Sequence, residues 1–224
     1  MLVDESKRAQ PRVDEPEVGT KLPAVPMRAR ALKFWEVIRT QMPPGLGPGP
    51  RAGVLPLAIL VGRLETWAAA AHLPPGPLAR LRATAYLHHD HADQAHDLVQ
   101  DMPDADGALL HGILHRREPD FWNSKYWFRH AENHPVYRCL SDRIRKLPAA
   151  VNHQSLIDRL TLTGVVDPLA LVDAVEAATR KPEGDAEGEF LRQVQLAETE
   201  CLVEHFLGGI TSADAQVAAL TKPS

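Results

Sequence analysis

Between Tyr86 and Pro135 this chain gathers eight of its eleven histidines and two of its four tryptophans. Imidazole changes charge near neutral pH, and in its neutral form it is also the commonest metal ligand. Such a run therefore offers metal binding, proton transfer or plain structural hydrogen bonding. His111 and His115 stand four apart in HGILH, which puts both rings on one helix face. The spacing is that of the zinc helix H-E-x-x-H, but Gly112 occupies the place of the glutamate base, so that motif is not satisfied. His96, on the preceding helix, can complete a three-imidazole set, with Glu118 or Asp120 at the following turn as further ligand candidates.

The neighbouring polar residues have ordinary roles open to them. HHDH at 88–91 falls at a turn between helices and reads as solvated. Arg116 and Arg117 close a helix, where cations suit the negative end of the dipole. Glu118 and Asp120 can pair with Arg129 or Lys125 to pin the next turn, and Asn123 can satisfy a buried imidazole. The segment FWNSKYWFR carries Phe121, Trp122, Tyr126, Trp127 and Phe128, more rings than one buried face requires, and packing inside the helical body is expected for them. Asp104, Asp106, Glu118 and Asp120 serve equally well as helix caps, so no acid–base pair is assigned and no catalytic residue is identified. No Gly-x-Ser-x-Gly turn and no phosphate-binding glycine loop is present.

The elements that must position these residues read as helices throughout. MRARALKFWEVIRTQM places Leu32, Trp35, Ile38 and Met42 at helical spacing and is stopped by PPGLGPGP. From Leu55 the same periodicity recurs in LPLAILVGRLETWAAAAH, PLARLRATAYLHH, ADQAHDLVQDM, ADGALLHGILHRRE, DFWNSKYWFRHAE, VYRCLSDRIRKL and HQSLIDRLTL. DPLALVDAVEAATR opens with Asp167 and Pro168, and a long helix from about 185 to 206 carries Phe190, Val194, Ala197, Cys201 and His205 on one stripe. No strand of alternating polarity occurs. The expected fold is all-α, built of antiparallel helix hairpins.

The 224 residues suit one domain with a full core: a flexible lead over 1–26, rich in proline and charge, followed by a helical domain over 27–224. A formal charge of −4 argues against general attraction to nucleic acid or anionic membrane, and the apolar stretch from Val54 to Gly62 is too short to span a bilayer. The opening residues have neither a secretory nor an anchoring pattern. Cys139 and Cys201 lack metal or redox spacing, so no disulfide is expected and a reducing cytoplasm is the default.

One internal repeat stands out. The segment from Ala83 overlies the segment from Gly112, with Ala83 against Gly112, Ala95 against Ser124, Val99 against Phe128 and Pro103 against Pro135. Over about 77–135 these units resemble the tetratricopeptide repeat, with its small residue in each helix, aromatic four later and closing proline. The resemblance implies two stacked helical hairpins. Where that repeat presents leucine and tyrosine to the partner helix, this chain has His111 and His115, turned inward. The residues His111, His115, Arg116, Arg117, Glu118, Asp120, Asn123, Lys125, Tyr126, Trp127, Phe128, Arg129, His134 and Pro135 also resemble the signature of a family of uncharacterised bacterial and fungal proteins, with His96 a further matching feature. That family brings relatives but no reaction.

The sequence thus leads first to a helical interaction or ligand-binding protein. Its polar pocket would draw on His96, His111, His115, Arg116, Glu118, Asp120, Asn123, Lys125 and Arg129, and its partner would be a protein or small molecule. No cofactor is predicted on that reading. A second reading is a metal-dependent, hydrolase-like enzyme holding a divalent ion on His96, His111 and His115. A third is a purely structural helical domain.

Overall fold

The computed structural model describes residues 27–208; the expected flexible lead over 1–26 lies outside them. Among the described residues there are ten α-helices and no strand, so the fold is all-α. The helices are α1 (Met27–Ile38), α2 (Leu57–Ala71), α3 (Pro75–His88), α4 (Ala92–Val99), α5 (Ala105–Arg117), α6 (Phe121–Ala131) and α7 (Val136–Ile144). A 3-10 turn (Ala150–His153) leads into α8 (Gln154–Leu160), followed by α9 (Pro168–Thr179) and α10 (Ala186–Phe206).

Helix starts follow from local chemistry. A helix leaves its first N–H groups without partners, and a short carboxylate just ahead of it accepts them. Asp104 takes the Gly107 N–H at 3.0 Å, Asp120 the Asn123 N–H at 3.2 Å, and Asp167 the Leu169 N–H at 2.8 Å. Asp185 does the same for Glu187 and Gly188. Pro75 and Pro168 sit in first turns, where their missing N–H costs nothing.

Two hairpins, α3–α4 and α5–α6, form the centre. In the second the helices approach so closely that a Cβ on Gly112 would lie 2.7 Å from the Phe128 ring, and the Ser124 hydroxyl donates to the Gly112 carbonyl at 2.7 Å. In the first, Ala83 and Ala95 are buried at the corresponding places. One continuous core runs from Phe34 and Ile38 of α1 through Leu110 and Leu114 of α5 to Phe190, Val194 and Cys201 of α10. Every residue of α5 from Gly107 to Arg117 is buried, so this helix is covered on all sides.

Three expectations need correction. In α1 Ile38 is buried and Trp35 packs partly buried against the core, as the spacing suggested, but Leu32 and Met42 are exposed, Ala31 and Phe34 complete the buried stripe instead, and the helix ends before Met42. The turn at 88–91 is not solvated. The proline-rich loop before α2 folds over it, so that Asp90 accepts from Arg51 and from Arg117, each at 2.5 Å. Leu55 N–H donates to His89 Nδ1 at 3.0 Å, and His91 Nε2–H donates to the Leu55 carbonyl at 2.9 Å. Gly49 is required there, since a Cβ would lie 2.3 Å from that of Asp90. Finally, Cys139 of α7 and Cys201 of α10 are joined by a disulfide. Their separation of 62 residues in sequence says nothing of spatial pairing, which the packing of α7 on α10 supplies.

Candidate metal centre

His111 and His115 lie one turn apart on α5, and α4 brings His96 against them. The ligand atoms of the three residues all fall within 4.8 Å of one another. Ring centroids are 5.4 Å apart for His96 and His111, 6.0 Å for His96 and His115, and 5.8 Å for His111 and His115. Trp127, on α6, stacks flat on His111 at 4.0 Å and fixes the ring plane.

What matters chemically is where the protons sit. His115 Nδ1 lies 3.0 Å from Glu118 Oε2, and a carboxylate can only accept, so Nδ1 carries the hydrogen. Nε2 is then a lone pair, and Asn123 Nδ2 donates to it at 3.1 Å. A carboxylate behind an imidazole is the arrangement that fixes tautomer and ring direction in metal sites. His111 Nδ1 is buried with no hydrogen-bond partner. Burial, and then the neighbouring His115 and His96, push the His111 imidazole down to about 4, so it is neutral at physiological pH. The result is three imidazoles whose ligand atoms lie within 4.8 Å of one another, with His115 Nε2 accepting from Asn123.

A second triad has the opposite polarity. Asp106 Oδ1 receives His134 Nε2 at 2.9 Å and His205 Nε2 at 2.8 Å, while Arg80 Nε holds Oδ2 at 2.8 Å. Val136 N–H donates to His134 Nδ1 at 3.3 Å, so the His134 proton is on Nε2 and points at the carboxylate. Burial alone would raise the Asp106 carboxyl, but the His134 and His205 hydrogen bonds hold it well below the usual carboxylate range. A metal at His134 Nε2 would force the proton onto Nδ1, against the Val136 N–H. This triad, which borders a cavity of about 450 Å3, is a completed hydrogen-bond network tying α3, α5 and α10 to the turn before α7.

Of the residues singled out from the sequence, the structure brings together His96, His111, His115, Glu118 and Asn123. Of the other four, Asp120 reaches them only through their backbone, its N–H on the His115 carbonyl at 2.9 Å and its Oδ1 on the Asn123 N–H, and the remaining three are directed elsewhere. Arg116 is fully buried on another side of α5, paired with Glu198 of α10 and 3.3 Å from Gln195 Oε1. Asp120 caps α6. Lys125 pairs with Asp173 of α9, and Arg129 is exposed. Nor does Glu118 pair with an arginine or lysine; it serves His115. Sequence reasoning missed the Trp127 lid over His111 and the joining of Asp106, His134 and His205. Trp122 and Tyr126 are exposed at 78 % and 43 %, where packing within the body was expected.

A comparison with protein families, curated proteins and solved structures finds no match for this chain.

Proposed function

We propose that this chain is a metal-binding helical protein in which His96, His111 and His115 hold a divalent transition ion. The observation that carries the reading is the convergence of three imidazoles within 4.8 Å, with the Glu118 carboxylate behind His115 turning its lone pair inward. A set of nitrogen donors alone favours zinc, copper, nickel or cobalt over magnesium or calcium, which take oxygen. Three protein ligands around such an ion leave a fourth position for water, and zinc lowers the pKa of that water to about 7. The chemistry within reach is therefore hydrolytic or hydrating. The wider polar pocket with Arg116, Lys125 and Arg129 has less support, because those cations are engaged elsewhere or exposed. We further read α3–α4 and α5–α6 as a tetratricopeptide-like pair that carries the site. A cytoplasmic setting has to be weighed against the Cys139–Cys201 bridge, since reducing compartments open most disulfides.

The test is titration of the chelator-treated, untagged full chain with zinc by calorimetry, with elemental analysis of the product. One equivalent is expected to bind. His111→Ala and His115→Ala should each abolish saturable binding, whereas His134→Ala should leave it intact. No saturable zinc, copper, nickel or cobalt binding to the wild type, or undiminished binding in the two α5 variants, would overturn the proposal.

A further inference from the structure

We infer that Asn123 is the fourth group of this site, donating to His115 in the metal-free protein and turning its carbonyl oxygen to the cation when metal is bound. The inference rests on the metal reading above and adds a ligand that the three imidazoles do not supply; with four protein groups on the ion, water enters only as a fifth ligand, an expansion zinc allows.

Asn123 stands in the first turn of α6, where its N–H is held by Asp120 Oδ1 at 3.2 Å. The next residue, Ser124, is tied to the Gly112 carbonyl at 2.7 Å, so this turn is pressed against α5 between the levels of His111 and His115. The backbone of Asn123 is thus fixed from both sides, while its half-buried side chain has a single hydrogen bond, Nδ2 to His115 Nε2. The direction of that bond is not free. Glu118 keeps the proton on Nδ1 of His115, so Nε2 accepts and the amide must donate.

The geometry then creates a conflict that only one movement resolves. In the 3.1 Å bond from Asn123 the amide hydrogen lies about 2 Å from Nε2. A zinc ion bound to the same nitrogen sits at about 2.0–2.1 Å. The hydrogen and the cation claim the same point, so a donor has to withdraw. A half-turn about the Cβ–Cγ bond of Asn123 exchanges NH2 for C=O and replaces a repulsive group with an oxygen ligand, at the expense of a small retreat of the side chain. Asparagine suits both states. An aspartate could not donate to Nε2 in the metal-free protein, and an aliphatic side chain could serve neither state.

The experiment compares zinc affinity of the wild-type full chain with N123D and N123L, each checked for an unchanged metal-free melting profile. N123L should bind about 10–100-fold more weakly, the cost typical of a lost supporting group at a metal site. N123D should bind more tightly than wild type, because a charged oxygen replaces a neutral one. Affinity in N123L indistinguishable from wild type, or equal weakening in N123D and N123L, would overturn the inference and reduce Asn123 to a packing role. Should either variant fail to fold, the side-chain NH2 signals of Asn123 in the wild type decide. One equivalent of zinc should move them, and their staying in place while zinc binds refutes the ligand role. Failure of wild-type binding altogether would instead strike at the metal reading itself.

Discussion

Gly112→Ala is the most direct test of how the site is built, because Gly112 lies next to His111 and faces the helix that carries Asn123 and Trp127. In an exposed helix interior glycine-to-alanine stabilises by about 1 kcal/mol through lost unfolded-state freedom. Here the added Cβ would meet three Phe128 ring carbons at 2.7 to 2.8 Å, against an optimal carbon–carbon separation of about 3.5–4.0 Å. Phe128 is 2 % exposed and lies against Arg116, so it cannot move aside cheaply. Relief therefore requires α6 to back away by something under 1 Å, which stretches the Ser124–Gly112 hydrogen bond. Overpacking of this kind costs about 1–3 kcal/mol, and a weakened hydrogen bond adds about 1 kcal/mol. After the propensity gain the net loss is about 2 kcal/mol, which lowers Tm by roughly 4–8 °C for a chain of this size. Gly62 of α2 supplies the control, being exposed with nothing within 4 Å of its Cβ position, so Gly62→Ala should raise Tm. Differential scanning calorimetry of both variants, with zinc titration of each, is the assay. The α5 variant should also lose zinc affinity, since the same retreat draws Asn123 and Trp127 from the imidazoles. A Gly112→Ala protein as stable as the Gly62→Ala protein would refute the close-packed hairpin.

Two further predictions concern buried charge. Glu198→Ala leaves the Arg116 guanidinium, which has no exposure, without its carboxylate, and should cost about 3–5 kcal/mol in urea unfolding. Replacing both partners together, as Arg116→Met with Glu198→Leu, should recover most of that, and a double variant as weak as the single would show that the loss does not come from an unpaired guanidinium. The second concerns acid. Burial lowers His88 well below its ordinary value, the neighbouring Arg51 adding to the effect; it lowers His89 to about 4, and lowers His134 against the opposing pull of Asp106. A histidine whose folded pKa is depressed stabilises fully above 6.5, and that contribution is lost as pH falls toward the folded value. Metal-free protein should therefore lose stability between pH 6.5 and about 4, and a flat profile of unfolding free energy across that window would sink the assignment.

Much of the fold was legible locally. Aspartates ahead of helices, prolines in first turns and a 3.6-residue apolar period report on contacts within a few positions. The pairing of His111 with His115 is a helix-geometry statement, and His96 is a candidate from its place on the preceding helix. What stayed hidden was decided by remote segments. Arg116 reads as a helix-end cation because nothing nearby announces that α10 brings Glu198 onto that side. The HHDH turn reads as wet because its cover comes from a loop some forty residues earlier, through Arg51 and Leu55. Cys139 and Cys201 meet only because α7 lies along α10.

The two histidine triads place ligand-type residues equally close but differ in where their protons sit. Both place three such groups within 4.8 Å. In one, Glu118 three positions after His115 accepts from Nδ1–H and leaves Nε2 to accept from Asn123, with no carboxylate among the three ligand residues. In the other, the Val136 N–H two positions after His134 occupies Nδ1, sends the proton to Nε2, and aims it at an Asp106 already neutralised by Arg80. On the proposed reading the first arrangement gains from a cation, whereas in the second the carboxylate already receives both imidazoles and Arg80. In both cases the deciding contact is local in sequence, so the proton's address can be read from a neighbour two or three residues away, even where the triad's membership cannot.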